Sequence, residues 1–140
     1  MEAIAGLDEE GFRKRHEQGA WTAAETLAHL LISEQRSLGR AKTALEQDNP
    51  SFPWLSDEAV DEEARSAQRM PVPQLVHGLV AQRRDVLRLF ESLSADQLAR
   101  RYMHATRGEL TIEWLFGRIA EHEVEHAEQI RAARQADAPA

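Results

Sequence analysis

The feature that most narrows what this chain can become is a pair of histidines set in an apolar helical stripe. In Ile119-Ala-Glu-His-Glu-Val-Glu-His-Ala-Glu-Gln-Ile130, His122 and His126 stand four residues apart. On an α-helix that spacing separates them by about 40° in azimuth and about 6 Å along the axis. Both rings then point the same way, close enough to share one ion. Ile112, Leu115, Ile119, His122, His126 and Ala133 step by three, four or seven residues, the period of a helix face turned toward a core. Burying two imidazoles unpaired is costly, so each needs a hydrogen-bond partner or a metal.

Read literally, His122-Glu123-Val124-Glu125-His126 is H-E-x-x-H, the zinc-peptidase signature, with Glu123 as its general base. The context argues against that reading. A third ligand in such peptidases usually lies downstream, and the 14 residues after His126 contain no histidine. The sheet that such active sites use is also missing from the hydrophobic pattern.

At 140 residues the chain suits one domain, expected over 1–134 with a frayed tail over 135–140. Hydrophobic content of 42% and charged content of 29% describe an ordinary soluble protein. A net charge of −7 without a Lys/Arg run argues against nucleic acid or an anionic membrane as partner. No apolar run approaches the roughly 18 residues of a membrane span, and the start lacks the basic-then-apolar look of a secretory signal. The expected location is the cytoplasm. Cysteine is absent, which removes disulfides and thiolate metal sites. Any thiol chemistry must therefore use a thiol supplied from outside.

Along the chain, Asp8 caps a short helical candidate through Glu9, Glu10, Phe12 and Arg15. Thr22-Ala-Ala-Glu25 is a capping box that opens a long helix to about Gln47. Leu27, Leu30, Leu31, Leu38, Ala41 and Leu45 give that helix its apolar face. His29 lies off the centre of the face, where the plainest reading of a lone histidine is a surface or hydrogen-bonded one. Residues 48–56 form a loop, since Pro50 and Pro53 exclude continuous helix; Phe52 and Trp54 in it must cover a bundle end or a pocket mouth. A short acidic helix follows over Asp57–Gln68. Pro71 and Pro73 open a third long helix to about Leu93, with Val76, Leu79, Val80, Val86, Leu87 and Phe90 as its stripe. His77 faces away from it. Ser94-Ala-Asp-Gln97 is a second capping box and starts a short helix to about Arg101. His104 and Gly108 then fall in a loop, and Thr111 caps the last long helix, which reaches about Arg134. No window alternates with the period of a strand, so no strand is expected. Gly6–Arg15 loosely repeats Ser92–Arg101, each a short capped helix ahead of a long histidine-bearing one.

This order of features resembles the DinB/YfiT-like superfamily. The matching pieces are Trp21-Thr22-Ala-Ala-Glu25-Thr-Leu-Ala-His29-Leu and Asn49-Pro-Ser-Phe-Pro-Trp54, then His104-Ala-Thr-Arg-Gly108-Glu-Leu-Thr111 and Ile119–Ile130. The resemblance implies an all-α, up-down four-helix bundle, here with a first helix shortened to one or two turns. A partner subunit could cover the face so exposed, and dimers are common in the family, so a homodimer is implied as well. The resemblance makes His29, His122 and His126 the ligands of a divalent metal. Nitrogen ligation suits Zn²⁺, Ni²⁺ or Fe²⁺ without choosing among them.

Ligating rings usually donate their other N–H to a neighbouring acceptor; Glu25, Gln129 and Glu123 are the candidates. Arg36 and Arg118 are placed to hold an anionic cosubstrate, against the plainer reading of surface salt-bridge partners. Some relatives transfer or isomerise with a low-molecular-weight thiol, which makes a thiol-dependent S-transferase or isomerase acting on a small molecule the first functional expectation. A metal-dependent hydrolase is the alternative. A non-catalytic helical protein, metal-stapled or stress-associated, is the other.

Overall fold

The structure, a computed structural model, describes residues 1–66 and 69–139. After a 3₁₀ turn over Glu2–Ile4, six α-helices follow: α1 (Glu9–Arg13), α2 (Ala23–Glu46), α3 (Asp57–Ser66), α4 (Val72–Ser92), α5 (Ala95–Leu98) and α6 (Ile112–Ala136). Strands β1 (Arg101–His104) and β2 (Gly108–Thr111) lie between α5 and α6.

Helix starts fall where the caps put them. Thr22 accepts from the Glu25 backbone N–H at 3.1 Å and the Glu25 carboxylate accepts from the Thr22 N–H at 2.8 Å, a complete capping box. Ser94 and Gln97 close a second one, and Asp8 and Thr111 cap α1 and α6. α6 continues to Ala136, and Asp137 beyond it pairs with Lys14. The end of the helix expected over 57–68 lies outside the described residues.

α2 is the hub, packing against α1, α3, α4 and α6. Gly78 lets α4 come close, because a Cβ there would stand 3.1 Å from Leu31 Cδ2. The shortened first helix is present as the 3₁₀ turn and α1, whose Ala3 and Phe12 are buried against α2 and Ile130. Arg134 donates to the Ala3 carbonyl at 2.7 Å and ties that segment to α6.

The apolar core is in two parts. One holds Leu27, Leu30, Leu31, Leu75, Leu79 and Ile130; the other holds Leu38, Val86, Tyr102, Ile112, Leu115, Phe116 and Ile119. α2 and α4 run from the first part to the second, and α6 runs back. Between the two parts each long helix turns polar residues inward: Glu34 on α2, Gln82 on α4, and His122 and His126 on α6.

Two expectations need correction. The chain does contain strands: β1 and β2 pair antiparallel, Tyr102 opposite Leu110 and His104 opposite Gly108, so His104 ends a strand instead of lying in a loop. The preceding helix accordingly ends at Leu98, short of Arg101. Gly108, at φ +76°, supplies the left-handed residue that leads out of the turn. The hairpin also pins the proline-bearing loop, since the Met103 N–H donates to the Pro50 carbonyl at 2.8 Å.

The stripe of α4 is the second correction. Its buried residues are Val72, Leu75, Leu79, Gln82 and Val86, whereas Leu87 and Phe90 are 50% and 41% exposed. A 3.6-residue period cannot bury both Val86 and Leu87 against a single neighbour, and α2 is the long helix on which α4 packs most.

Candidate metal centre and the cavity beside it

His29 sits in the second turn of α2, and His122 and His126 occupy adjacent turns of α6. Packing of α6 on α2 brings the three rings together. The His122 Nε2 stands 3.0 Å from the His29 Nε2 and 2.9 Å from the His126 Nε2. One ligand atom from each residue lies within 4.8 Å of the others. The reading of His29 as a plain surface histidine therefore fails: it is half-buried, and its ring meets both others edge-on at centroid distances of 4.8 and 4.9 Å.

The donor chemistry fits a cation. The His126 Nδ1 lies 2.7 Å from the Gln129 Oε1. That oxygen can only accept, so Nδ1 carries the proton and the His126 Nε2 presents a lone pair. Three Nε2 atoms then crowd one point, where a neutral ring can satisfy only part of the set by donating a single N–H. A tetrahedral ion with metal–nitrogen bonds of about 2.0–2.1 Å would accept all three lone pairs and space the nitrogens by roughly 3.3 Å; the two spacings from His122, 3.0 and 2.9 Å, are near that value. Electrostatics agree. Burial, then repulsion among the rings, lowers the His29 pKa to about 3 and the His122 pKa to about 4. The His126 pKa is lowered chiefly by burial too. At neutral pH all three are uncharged, the form a metal needs.

Trp21 closes one side. Its ring stacks on His126 with centroids 5.9 Å apart and tilts over His29 at 4.6 Å, while its Nε1–H donates to Asp61 on α3 at 2.9 Å. Of the three proposed neighbours of the ligands, Gln129 is seen holding a ring. Glu25 is fully buried and serves the start of α2, bound by Arg15 at 2.7 and 3.1 Å as well as by the Thr22 N–H. Glu123 is bound by the Arg83 guanidinium on α4. That pairing also removes it from the general-base role of a peptidase.

On the other side of His122 an open cavity of about 230 Å³ runs between α2, α6, β1 and the 48–56 loop. Phe52, Pro53, Trp54 and Leu55 line it, so the aromatic loop does border a pocket. Arg36 and Arg118 line it as well, each already paired. Arg36 binds both Glu63 oxygens at 2.6 and 2.7 Å, and Arg118 binds Glu125 at 3.0 and 3.2 Å.

Three lining residues were not singled out from sequence: Glu34, Arg40 and Tyr102. Glu34 is 1% exposed, and the group beside its carboxyl is the Glu123 carboxylate. Burial, followed by the nearby Glu123 carboxylate, pushes its pKa up to about 9, against the pull of Arg83. The only signal available in sequence was a glutamate within a stretch otherwise destined for the core.

Comparisons with known proteins agree with this architecture. A protein of Oceanobacillus iheyensis named "Putative metal-dependent hydrolase" is 25% identical over 135 residues, which span 94% of this chain and 75% of that one. A Bacillus cereus protein of the same name is 26% identical, over 95% of this chain and 76% of its own length. Among solved structures, Bacillus subtilis YfiT superposes with a TM-score of 0.81 at 22% identity, over 96% of this chain and 77% of YfiT. YfiT is described as "a probable metal-dependent hydrolase with an unusual four-helix bundle topology". No described helix is long and apolar enough to cross a membrane. With the family's sequence pattern matched over residues 1–130, helices and histidine cluster alike, the chain belongs to the DinB superfamily.

Proposed function

We propose that this protein is a divalent-metal-dependent enzyme that directs a small exogenous thiol onto a small electrophilic substrate, as an S-transferase or isomerase. One observation carries the reading: three imidazole Nε2 atoms converge at the wall of an open cavity. Three neutral donors leave coordination positions free, the arrangement of catalytic and not structural sites. A bound Zn²⁺, Ni²⁺ or Fe²⁺ supplies a Lewis acid that lowers the pKa of a coordinated thiol or water. The protein's own residues do the rest. Gln129 fixes the tautomer and orientation of His126, Trp21 keeps water from the far side of the rings, and the cavity admits substrate from the side of His122. The chain contains no cysteine, so a thiol nucleophile has to enter from solution.

A second reading, favoured by the names of the two bacterial relatives, is hydrolysis with water as the nucleophile. The two separate in one assay of tag-free, metal-loaded protein. A chromogenic haloarene and a chromogenic ester are each offered with and without free cysteine as the small thiol. Turnover of the haloarene that requires the thiol supports the transferase. Thiol-independent cleavage of the ester supports the hydrolase. Bound metal with neither activity would leave the triad as a staple between α2 and α6.

A further inference from the structure

The cavity beside His122 collects hydrogen-bond donors that nothing in the protein answers. Arg40 follows Arg36 by one turn of α2 and lines the same cavity, yet among the described residues no carboxylate or carbonyl accepts from it. Its guanidinium carbon lies 5.3 Å from the centre of the Phe52 ring, a cation–π contact that holds the group without neutralising it. The Tyr102 side chain is 1% exposed and its hydroxyl is buried without a hydrogen-bond partner.

His104 adds a third donor. Its Nδ1 accepts from the Thr106 and Arg107 backbone N–H groups, each at 3.1 Å, so its proton resides on Nε2. Burial and the neighbouring guanidinium groups of Arg40 and Arg107 lower its pKa, which keeps the ring neutral. The Arg40 pKa is itself lowered, by burial and by Arg36. Glu34 is the one carboxyl among the lining residues and is protonated near neutrality.

In a protein of net charge −7, this pocket thus carries surplus positive charge. A buried donor left unanswered is costly, and a half-buried cation without a counter-ion adds to that cost. Such groups are stabilised together by one partner, a small anion with several acceptor oxygens.

We propose that Arg40 and Tyr102, with His104 beside them, form an oxyanion subsite that binds a carboxylate or phosphate group of the substrate while its reacting end lies at the triad. The inference rests on the proposed reading of this cavity as the place of the substrate. It also moves the anion-binding role from Arg36 and Arg118, whose charges are already balanced, to Arg40, whose charge is not. The size of the cavity suits a small acid or the charged end of a larger molecule.

The test needs no knowledge of the substrate and no metal. Chelator-treated protein, dialysed into a non-coordinating buffer, is titrated calorimetrically with inorganic phosphate and separately with acetate. Wild type should bind one equivalent of at least one anion. Arg40→Met should weaken that binding at least about tenfold. Tyr102→Phe should weaken it less, and Arg40→Lys should fall between, because lysine keeps the charge but lacks the planar fork.

Thermal melts of each variant separate loss of binding from loss of fold, and Arg40→Lys serves should Arg40→Met not fold. Absence of saturable binding by wild type, or unchanged binding by Arg40→Met, would overturn the subsite. Binding lost in His122→Ala but kept in Arg40→Met would place the anion at the histidines and overturn it as well. Because the measurement is made without metal, a failure of the triad as a metal centre leaves its outcome unaffected.

Discussion

On one side of the histidine cluster Trp21 covers His29 and His126, and the Gln129 Oε1 accepts from the His126 Nδ1–H. On the other, Arg36, Arg40, Arg118, Glu34 and Tyr102 surround an open cavity. On the first side the rings are stacked, and the His126 ring proton has its acceptor. The second carries a buried hydroxyl without a hydrogen-bond partner, a buried carboxyl, and a guanidinium that meets the Phe52 ring but no carboxylate. The contrast teaches where to look for function in a helical bundle. A face with every donor matched fixes geometry, whereas spare donors and acceptors mark the face at which something else arrives.

The largest effect on this contrast should come from the ring where the two sides meet. His122 is the residue that both other nitrogens face, so His122→Ala should abolish stoichiometric metal uptake, read by metal analysis of tag-free protein. One equivalent retained would break the assignment. The depressed pKa values of His29 and His122, about 3 and about 4, set the pH at which protons compete. Wild-type protein should therefore hold metal as the pH falls through 6.5, the ordinary histidine value, and release it only toward about 4. Release already near the ordinary value would mean that the rings behave as solvated groups.

Next in size is the first side. Gln129→Leu removes the acceptor that orients His126, and such neighbours are typically worth about 10- to 100-fold in metal affinity. A competition titration with a chromophoric chelator measures this, and an unchanged affinity would reduce Gln129 to a bystander.

The smallest effect belongs to Glu34 on the open side. Its pKa is raised in the fold, so its contribution to stability is fully present below the unfolded value of 4.5 and is lost as the pH rises through about 9. Glu34→Gln has no proton to lose. Across that window the melting temperature of the variant should gain on that of wild type as the pH rises, reaching a difference of at least about 4 °C. A difference that shrinks with rising pH would contradict the assignment of a buried, neutral carboxyl.

Much of this was legible beforehand, for reasons that can be named. Thr22, Ser94 and Thr111 act on backbone groups within three residues of themselves, so local sequence specifies the helix starts. His122 and His126 were readable because a helix converts a spacing of four into a shared direction. Their meeting with His29 depends on packing between helices, and it followed only from the likeness to a known family. The hairpin escaped because each strand has four residues, Arg-Tyr-Met-His and Gly-Glu-Leu-Thr, too few for alternation to show. Leu87 and Phe90 look like core by composition, but they lie outside the Leu75, Leu79, Gln82 and Val86 stripe that α4 buries, and Phe90 meets the Phe116 ring of α6 at the rim. Arg40 and Tyr102 were invisible because an unanswered charge is a property of surroundings, not of a residue.

The division of the core has a consequence for how this protein is held together. At both ends of the bundle, cohesion is oily and non-directional, and it tolerates small shifts. Across the middle, cohesion falls to imidazole nitrogens, the Arg83–Glu123 pair and a lone carboxyl. Bonds of that kind answer to protons and chelators, as apolar contacts do not. The seam is thus the part of the bundle whose cohesion depends on solution chemistry, and a cation between α2 and α6 would be its rivet.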